Sequence, residues 1–348
     1  MTMERKSNIE LLRIVSMLMV LFLHSNYTSI GEVTPADIES AFVASFGKAI
    51  AEQLCIIAVN LFIIISGWFG IKPSFKGVCA LMYQVLFYHV LISGLALFCG
   101  VPISFSMFIA PFRFGIPYWF VVSYVTMYVL TPVMNVFIEK VSARGVFSVL
   151  ISFYVIQSTT GFCAHFGGFN AGYSSISFIG LYLLARFIRL HAQKIKKIRA
   201  RYDIYLYLLF SIIPVLLFFI TKRNFDMTSY CSPFVIVATV FFFLSFSHLN
   251  ISNKIINYVA SSVLSVYLIH AHPLVWGEYC RIMSIMHDYL GGGRYVAYVI
   301  ISSIFFLLCC VVLDKVRIYT WAVISDKVMY LFVGRTKWLL NKLLNNIV

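Results

Sequence analysis

Ten apolar stretches, each about as long as a membrane-crossing helix, dominate this chain. A hydrocarbon core of about 30 Å requires ~20 mostly apolar residues per helix. Hydrophobic residues make up 61% of the 348 residues and charged residues only 11%, which excludes an ordinary soluble domain. We therefore predict an all-α, polytopic membrane helix bundle with about ten transmembrane helices. The stretches lie near residues 9–27, 54–71, 78–99, 116–138, 146–164, 173–190, 203–221, 231–249, 257–276 and 295–313.

The basic residues are distributed unevenly between the two sets of loops. A net charge of +14 can indicate a nucleic-acid partner, but here an N-terminus on the inner side places most of the charge in cytoplasmic loops. Such an excess follows the positive-inside rule, so we predict cytoplasmic termini, a lipid-bilayer environment and no nucleic-acid partner. The predicted cytoplasmic set is Lys72, Lys76, Lys140, Arg144, Arg186, Arg189, Lys194, Lys196, Lys197, Arg199, Arg201 and Lys254; the opposite set is Lys48, Arg113, Lys222, Arg223, Arg281 and Arg294.

Both ends of the apolar region carry charges that need an interpretation. The first stretch follows Arg5 and Lys6 as a signal peptide would, but it lacks a small-residue cleavage site, so we predict a retained helix. Beyond Leu313 the charges are too frequent for another span. We therefore divide the chain into a membrane domain, residues 1–313, and a basic cytoplasmic tail, residues 314–348, with helices lying in the interface. The predicted interfacial anchors are Trp321, Tyr330 and Trp338.

Two further expectations concern the loops and the cysteines. The predicted outer loop from Tyr27 to Gln53 carries Pro35 directly after Thr34, which predicts the first turn of a short helix. This loop is expected to cover a site from the outer side. The eight cysteines show no metal-binding or redox spacing, so we expect no metal.

The first apolar stretch carries Glu10, Arg13 and His24, which are costly in a membrane. Arg13 and His24 are eleven positions apart, close to three helical turns, so they share one face with ~16 Å between them. In the structural interpretation, Glu10 and Arg13 form an i,i+3 pair and His24 bonds a neighbouring helix. We favour the functional interpretation, because ionisable groups within a membrane usually face a polar cavity. Histidine suits proton abstraction from an alcohol near neutral pH.

Other polar and aromatic residues stand out in later stretches. The second reads Asn60-Leu-Phe-Ile-Ile-Ile-Ser66-Gly67-Trp68, and Asn60 is expected to face the bundle interior. Ser66 and Gly67 fit close helix packing and a cavity wall equally well. Further along are Pro117-Tyr118-Trp119-Phe120 and Ser265-Val-Tyr267-Leu-Ile-His270. An interfacial aromatic belt and a capped helix end are the structural alternatives.

Taken in order, these segments resemble the type 3 acyltransferase family of bacterial integral-membrane acyltransferases. The resemblance covers essentially the whole membrane domain, and the Glu-x-x-Arg with its distant His is its most specific part. It implies transfer of an acyl group, often acetyl, from cytoplasmic acyl-CoA to a surface glycan or lipid-linked oligosaccharide at the bacterial plasma (inner) membrane. His24 matches the family's catalytic histidine and Arg13 the arginine of its first-helix motif. The matching later residues are Ser66, Gly67, Tyr267 and His270.

We therefore predict an acyl-CoA-dependent O-acetyltransferase in which His24 is the base, with Arg13 and Glu10 in the catalytic group. Asn60, Ser66, Gly67, Trp119, Tyr267 and His270 are predicted to line the substrate cavity. Many family members carry two arginines after the serine–glycine pair, where this chain has Lys72 and Lys76. A lysine binds phosphate as a point charge, so the predicted acyl-CoA site comprises Lys72, Lys76, Arg186 and Arg189.

Several alternatives stay open at the level of sequence. The acyl group could pass directly to the acceptor or through an acyl-histidine intermediate. A polyprenyl-linked glycan flippase or exporter also has many spans and intramembrane ionisable residues, but it needs no acyl-CoA and leaves the glycan mass unchanged. A small-molecule sensor is a third class. The acceptor sugar, the length of the acyl group and the formation of a homo-oligomer are not determined by these patterns.

Overall fold

The structure is a computed structural model that describes residues 6–109, 111, 118–191, 199–222 and 227–344. Beyond residue 325 it describes the backbone and the side chain of Lys327. The predicted loop residues Arg113, Lys194, Lys196, Lys197 and Arg223 lie outside the described residues, as do the side chains of Tyr330 and Trp338.

The described part of the chain is helical, which confirms the predicted all-α class. The helices are α1 (Ser7–Leu23), α2 (Pro35–Ser40), α3 (Phe42–Cys55), α4 (Ala58–Phe69), α5 (Phe75–Phe98), α6 (Phe105–Ile109), α7 (Trp119–Lys140), α8 (Ala143–Ile156), α9 (Ser175–Leu190), α10 (Ala200–Thr221), α11 (Pro233–Ser247), α12 (Lys254–Ala260), α13 (Val263–His270), α14 (Pro273–Leu290) and α15 (Gly292–Leu344). Wider π-helical turns extend α1 over His24–Thr28 and α8 over Gln157–Cys163.

Among the described residues, seven helices are long and apolar enough to cross a membrane, and a bent pair gives an eighth. The remaining apolar helices are shorter, such as α11 with 15 residues and α9 with 16. A short helix can cross if polar groups at its ends reach the interface. The count of ten spans therefore stays a prediction.

Three boundaries differ from the sequence-based prediction. The second stretch, predicted at 54–71, belongs to a longer candidate span, Phe42–Phe69, so α3 is helical where the sequence predicts the last part of the outer loop. The predicted stretch 257–276 is interrupted, because the chain bends by 86° between the pair α12–α13 and α14, which begins at Pro273. Proline lacks an N–H and disfavours helical geometry in the residue before it. By contrast, α15 continues without a break past residue 313 to Leu344. The interfacial position of the tail stays a prediction.

The helices run between two ends of the bundle. We call the end with Ser7 the Ser7 face; the Ser7 hydroxyl donates to the Asn253 carbonyl there at 3.3 Å. We call the end with Thr28 the Thr28 face; the Tyr295 hydroxyl of α15 donates to the Ser25 carbonyl near it at 2.7 Å. Helix α1 therefore crosses the bundle from one face to the other and contacts α4, α12, α13 and α15.

The segment between α1 and α3 folds as the sequence predicts. Thr34 caps α2 and forms a reciprocal capping box with Asp37, while Pro35 occupies the first turn. Hydrogen bonds from the side chain and backbone of Thr34 lower the pKa of Asp37. At the end of α2, the Lys222 ammonium lies 2.7 Å from the Glu39 carboxylate and lowers the pKa of Glu39. The segment between α1 and α3 is thus ion-paired to the C-cap of α10.

Candidate active site

His24 is the first residue of the π-helical turn that ends the first transmembrane helix. Hydroxyl groups hold this wider turn: the Ser25 Oγ donates to the Leu21 carbonyl at 2.8 Å and the Ser29 Oγ donates to the His24 carbonyl at 2.7 Å. Tyr279 of α14 contacts the Ser25 hydroxyl at 2.7 Å. Such bulges recur at functional sites because they re-aim side chains within a helix.

His24 and His270, two residues that the sequence analysis selected, are hydrogen-bonded to each other. The Nδ1 of His24 lies 2.8 Å from the Nε2 of His270. The Nδ1 of His270 lies 2.6 Å from the Val266 carbonyl, which can only accept a hydrogen bond. The aromatic ring of Trp276 packs edge-on against His24, with 5.0 Å between ring centroids. The imidazole of His24 is therefore held between α13 and α14.

This network assigns the tautomers of both rings. Because the Val266 carbonyl cannot donate, the hydrogen bond between them requires the proton of His270 to lie on Nδ1, which leaves Nε2 of the neutral ring as an acceptor. A second proton on His270 would place a positive charge on a residue that is 0% exposed, which is costly. His24 therefore donates from Nδ1 to His270. Its own Nε2 is left unprotonated, as a general base requires.

Two cavities meet at His24. The first, which we call the Ser7-side cavity, has a volume of about 420 Å³ and extends from Arg13, Gly77 and Ser261 to His24. The second, the Thr28-side cavity, has a volume of about 460 Å³ and is lined by hydroxyl, aromatic and carboxylate groups including Glu32. Both cavities are lined by His24, Tyr173 and Tyr230.

Most other predicted cavity residues occupy the Ser7-side cavity or support it. Ser66, Trp119 and Tyr267 line this cavity. Asn60 is 1% exposed and donates from Nδ2 to the Tyr230 carbonyl at 3.2 Å. It therefore positions a residue that both cavities share.

Gly67 has a packing role in the structure. A Cβ atom at this position would lie 2.5 Å from the Tyr182 carbonyl oxygen and 2.8 Å from the Ala185 Cβ. The absence of a side chain lets α4 approach α9 closely, and Gly67 is not among the residues that line the two cavities.

Arg13 and Glu10 form the predicted i,i+3 ion pair. The Arg13 Nη1 lies 3.6 Å from the Glu10 Oε2, and the Glu10 side chain is 9% exposed whereas that of Arg13 is 36% exposed. Arg13 also lines the Ser7-side cavity. The guanidinium therefore stands between a buried carboxylate and the cavity, about 16 Å along α1 from His24.

The four basic residues predicted to bind the donor fall into two groups. Lys72 and Lys76 are exposed at the start of α5, beside Gly77 of the Ser7-side cavity. Arg186 lies 3.6 Å from the Glu139 carboxylate, and the Arg189 guanidinium lies 5.0 Å above the Trp68 ring. The two arginines of α9 thus contact side chains of α7 and α4, and they do not line either cavity.

Tyr173 and Tyr230 are the main site residues that sequence reasoning missed. Their rings lie 5.0 Å apart, and Tyr173 lies 4.5 Å from Trp119. Tyr173 directly precedes Ser174, the N-cap of α9, and Tyr230 lies two residues before Ser232, the N-cap of α11. The chain contains 21 tyrosines, so this position alone does not distinguish them.

A comparison with protein families gives the class of protein that this fold and site belong to. The sequence model of the acyltransferase 3 family, described as an acyltransferase domain, matches residues 6–315. The chain therefore belongs to the acyltransferase 3 family and is a membrane acyltransferase. Comparisons with curated proteins and with solved structures find no match.

Proposed function

We propose that the chain transfers an acyl group, with acetyl as the expected case, from cytoplasmic acyl-CoA to a hydroxyl of a surface or lipid-linked polysaccharide. The observation that carries this proposal is the position of His24, where a cavity extending from the Ser7 face meets a cavity at the Thr28 face. Two substrates on opposite sides of a membrane could reach one base without either crossing the bilayer.

The proposed orientation puts the Ser7 face in the cytoplasm of a bacterial inner membrane. It is supported by the basic residues at that face, which include Lys72, Lys76 and Lys254. Acyl-CoA then enters the Ser7-side cavity and the glycan enters the Thr28-side cavity. Tyrosine rings and hydroxyl groups in the latter suit an uncharged sugar ring, which combines apolar faces with hydrogen-bonding edges.

The proposed reaction uses the unprotonated Nε2 of His24. This atom takes the proton from the acceptor hydroxyl as the hydroxyl oxygen attacks the thioester carbonyl. The carbon–sulfur bond then breaks, and the imidazolium returns the proton to the departing thiolate, so an ester and a free thiol form. His270 stabilises the imidazolium by accepting from His24 Nδ1 throughout.

Direct transfer is the route we favour over an acyl-histidine relay. Both cavities share His24, Tyr173 and Tyr230, so the thioester and the hydroxyl can meet at the same imidazole. A relay would instead produce a covalent acetyl-histidine, so labelled acetyl-CoA supplied without an acceptor would label the protein, and quenching the reaction would trap that label. Recovery of acetyl label on His24 under those conditions would contradict direct transfer.

The proposed activity is tested by the chemistry of the glycan in cells. Surface polysaccharide from cells with the wild-type chain is expected to carry an ester, visible as added mass and as an acetyl proton signal, that is missing with His24→Gln. The matched control is His191→Gln, an exposed histidine that does not line either cavity. Equal membrane levels of the three proteins are checked first. Unchanged glycan mass with the wild-type chain would favour a flippase or exporter.

A further inference from the structure

A third cavity lies at the Ser7 face, beside the entrance to the Ser7-side cavity. It has a volume of about 610 Å³ and is lined by α12 and α15 residues, namely Lys254, Asn257, Tyr258, Ser261, Arg317 and Ile318. We call it the Lys254 pocket. Ser261 lines both this pocket and the Ser7-side cavity, so the two are adjacent.

We propose that the Lys254 pocket binds the phosphate groups of the nucleotide portion of the thioester donor, while the thioester-bearing arm extends through the Ser7-side cavity toward His24. This inference rests on the proposed function, because it assumes a CoA-type donor. It assigns the donor a set of residues that differs from Lys72, Lys76, Arg186 and Arg189.

The need for such a site follows from the chemistry of the donor. Nucleotide phosphates carry several negative charges, which are costly to move into a low-dielectric, apolar cavity. The Ser7-side cavity is lined mainly by apolar and aromatic side chains, such as Met17, Phe62 and Leu264. The charged portion of the donor is therefore expected to stay at the entrance, where basic groups can neutralise it.

The charges around the pocket suit a phosphate group. Lys254 is exposed in the first turn of α12. Arg317 is 8% exposed and pairs with the buried Asp314 through Nε at 2.8 Å and Nη2 at 2.9 Å, so this pair is neutral. Arginine has five N–H groups, of which these two bonds use two. The positive charge of Lys254 is thus not offset within the pocket lining.

A second lysine holds the shape of the entrance. The Lys315 ammonium donates to the Tyr258 carbonyl at 2.9 Å and to the Ser261 and Ser262 hydroxyls, each at 3.0 Å. It also lies 3.7 Å from the centroid of the Tyr258 ring. These bonds use the three protons of the ammonium, so Lys315 is a positioning residue that fixes Ser261 between the two cavities.

The test compares Lys254→Ala with Lys140→Ala, an exposed lysine that ends α7 and lines none of the three cavities. Each full-length protein is placed in phosphatidylcholine nanodiscs, and binding of radiolabelled CoA is measured at several salt concentrations. Because Lys254 is exposed, loss of its ion pair with a phosphate is expected to weaken CoA binding by about 2- to 5-fold in Lys254→Ala, and by less at high salt. Lys140→Ala is expected to bind as the wild type does. Acyl transfer from acetyl-pantetheine, which lacks phosphates, is expected to fall less in Lys254→Ala than acyl transfer from acetyl-CoA does.

The outcomes separate this inference from the proposed function. Equal CoA binding by the wild type and Lys254→Ala would overturn the assignment of the pocket and leave the proposed function intact. If that result came with less co-purified phosphatidylglycerol in Lys254→Ala, the pocket would be assigned to a lipid headgroup instead. A wild-type protein that neither binds CoA nor uses acetyl-pantetheine would overturn the proposed donor together with this inference.

Discussion

Replacement of His270 tests whether the tautomer of His24 matters for turnover. In His270→Leu, the Nδ1 proton of His24 loses the acceptor that lies 2.8 Å away. The proton of the neutral His24 imidazole can then move to Nε2. A protonated Nε2 cannot accept the proton of the acceptor hydroxyl. We expect this variant to lower kcat without a matching change in KM, because His270 is 0% exposed and does not line either cavity.

The expected magnitude follows from the bond that is lost. The acceptor stabilises the imidazolium that forms during the reaction, and a hydrogen bond to a charged group contributes about 1.5–3 kcal/mol. Each 1.36 kcal/mol changes a rate by a factor of ten, so kcat is expected to fall by about 10- to 150-fold. His270→Gln keeps a side-chain oxygen that can accept from Nδ1 and is expected to retain part of the activity.

The assay is the initial rate of acyl transfer by purified protein at several concentrations of donor and acceptor. A matched control is His89→Leu, which breaks a second buried histidine pair in which the His89 Nδ1 lies 3.1 Å from the His272 Nε2. His89 lines neither cavity, so kcat per folded molecule should not change. Thermal denaturation corrects each rate for folding. A wild-type kcat in folded His270→Leu would refute the tautomer argument.

Three further predictions concern other parts of the molecule. Arg13→Ala leaves the buried Glu10 carboxylate without its partner at 3.6 Å, so this variant should lower both Tm and turnover. Arg13→Lys should keep part of both. Full activity of both variants would show that Arg13 has a structural role only. Gly67→Val should destabilise the protein by ~1–3 kcal/mol, because its Cβ would lie 2.5 Å from the Tyr182 carbonyl oxygen, and an unchanged Tm would contradict this packing. The lowered pKa of Asp37 means that its contribution to stability is present above the unfolded-state pKa and is lost as the pH falls through the folded-state pKa. Asp37→Asn should therefore flatten the acid limb of a plot of Tm against pH, and an unaltered acid limb would argue against the capping box.

The parts of the fold that the sequence predicts well are those determined by local chemistry. Runs of apolar residues must form helices in a membrane because the backbone has no other hydrogen-bond partners there, and the structure is helical over the described stretches. Thr34 and Pro35 predict the start of α2 because capping depends on neighbouring residues only.

The end of the last apolar stretch depends on distant residues and could not be predicted. The charges after Leu313 indicated the end of the span, yet α15 continues because Asp314 and Arg317 neutralise each other. The Tyr88 hydroxyl of α5 also donates to Asp314 at 2.7 Å, and Lys315 bonds the end of α12. No pattern in the local sequence shows that these partners are within reach.

In the candidate site, too, local sequence predicts some features, whereas contacts between distant residues determine the others. The spacing of Arg13 and His24 on one helix face follows from helical geometry, and the structure places both beside the Ser7-side cavity. Contacts between helices, however, decide that His24 bonds His270 and that Tyr173 and Tyr230 lie between the two cavities. In a chain with 17% aromatic residues, such tyrosines cannot be distinguished from ordinary core residues by sequence.

In the proposed reaction, His24 is the base for transfer from a donor that enters at one face to an acceptor that enters at the other. Sealed proteoliposomes with the chain in a single orientation test it most directly, with labelled acetyl-CoA supplied only at the Ser7 face and an oligosaccharide acceptor only at the Thr28 face. Labelled ester is expected on the acceptor with the wild-type protein, at a rate at least about 100-fold higher than with folded His24→Gln. Wild-type rates in His24→Gln, or transfer only when both substrates are supplied at the same face, would show that His24 does not catalyse transfer between the two faces.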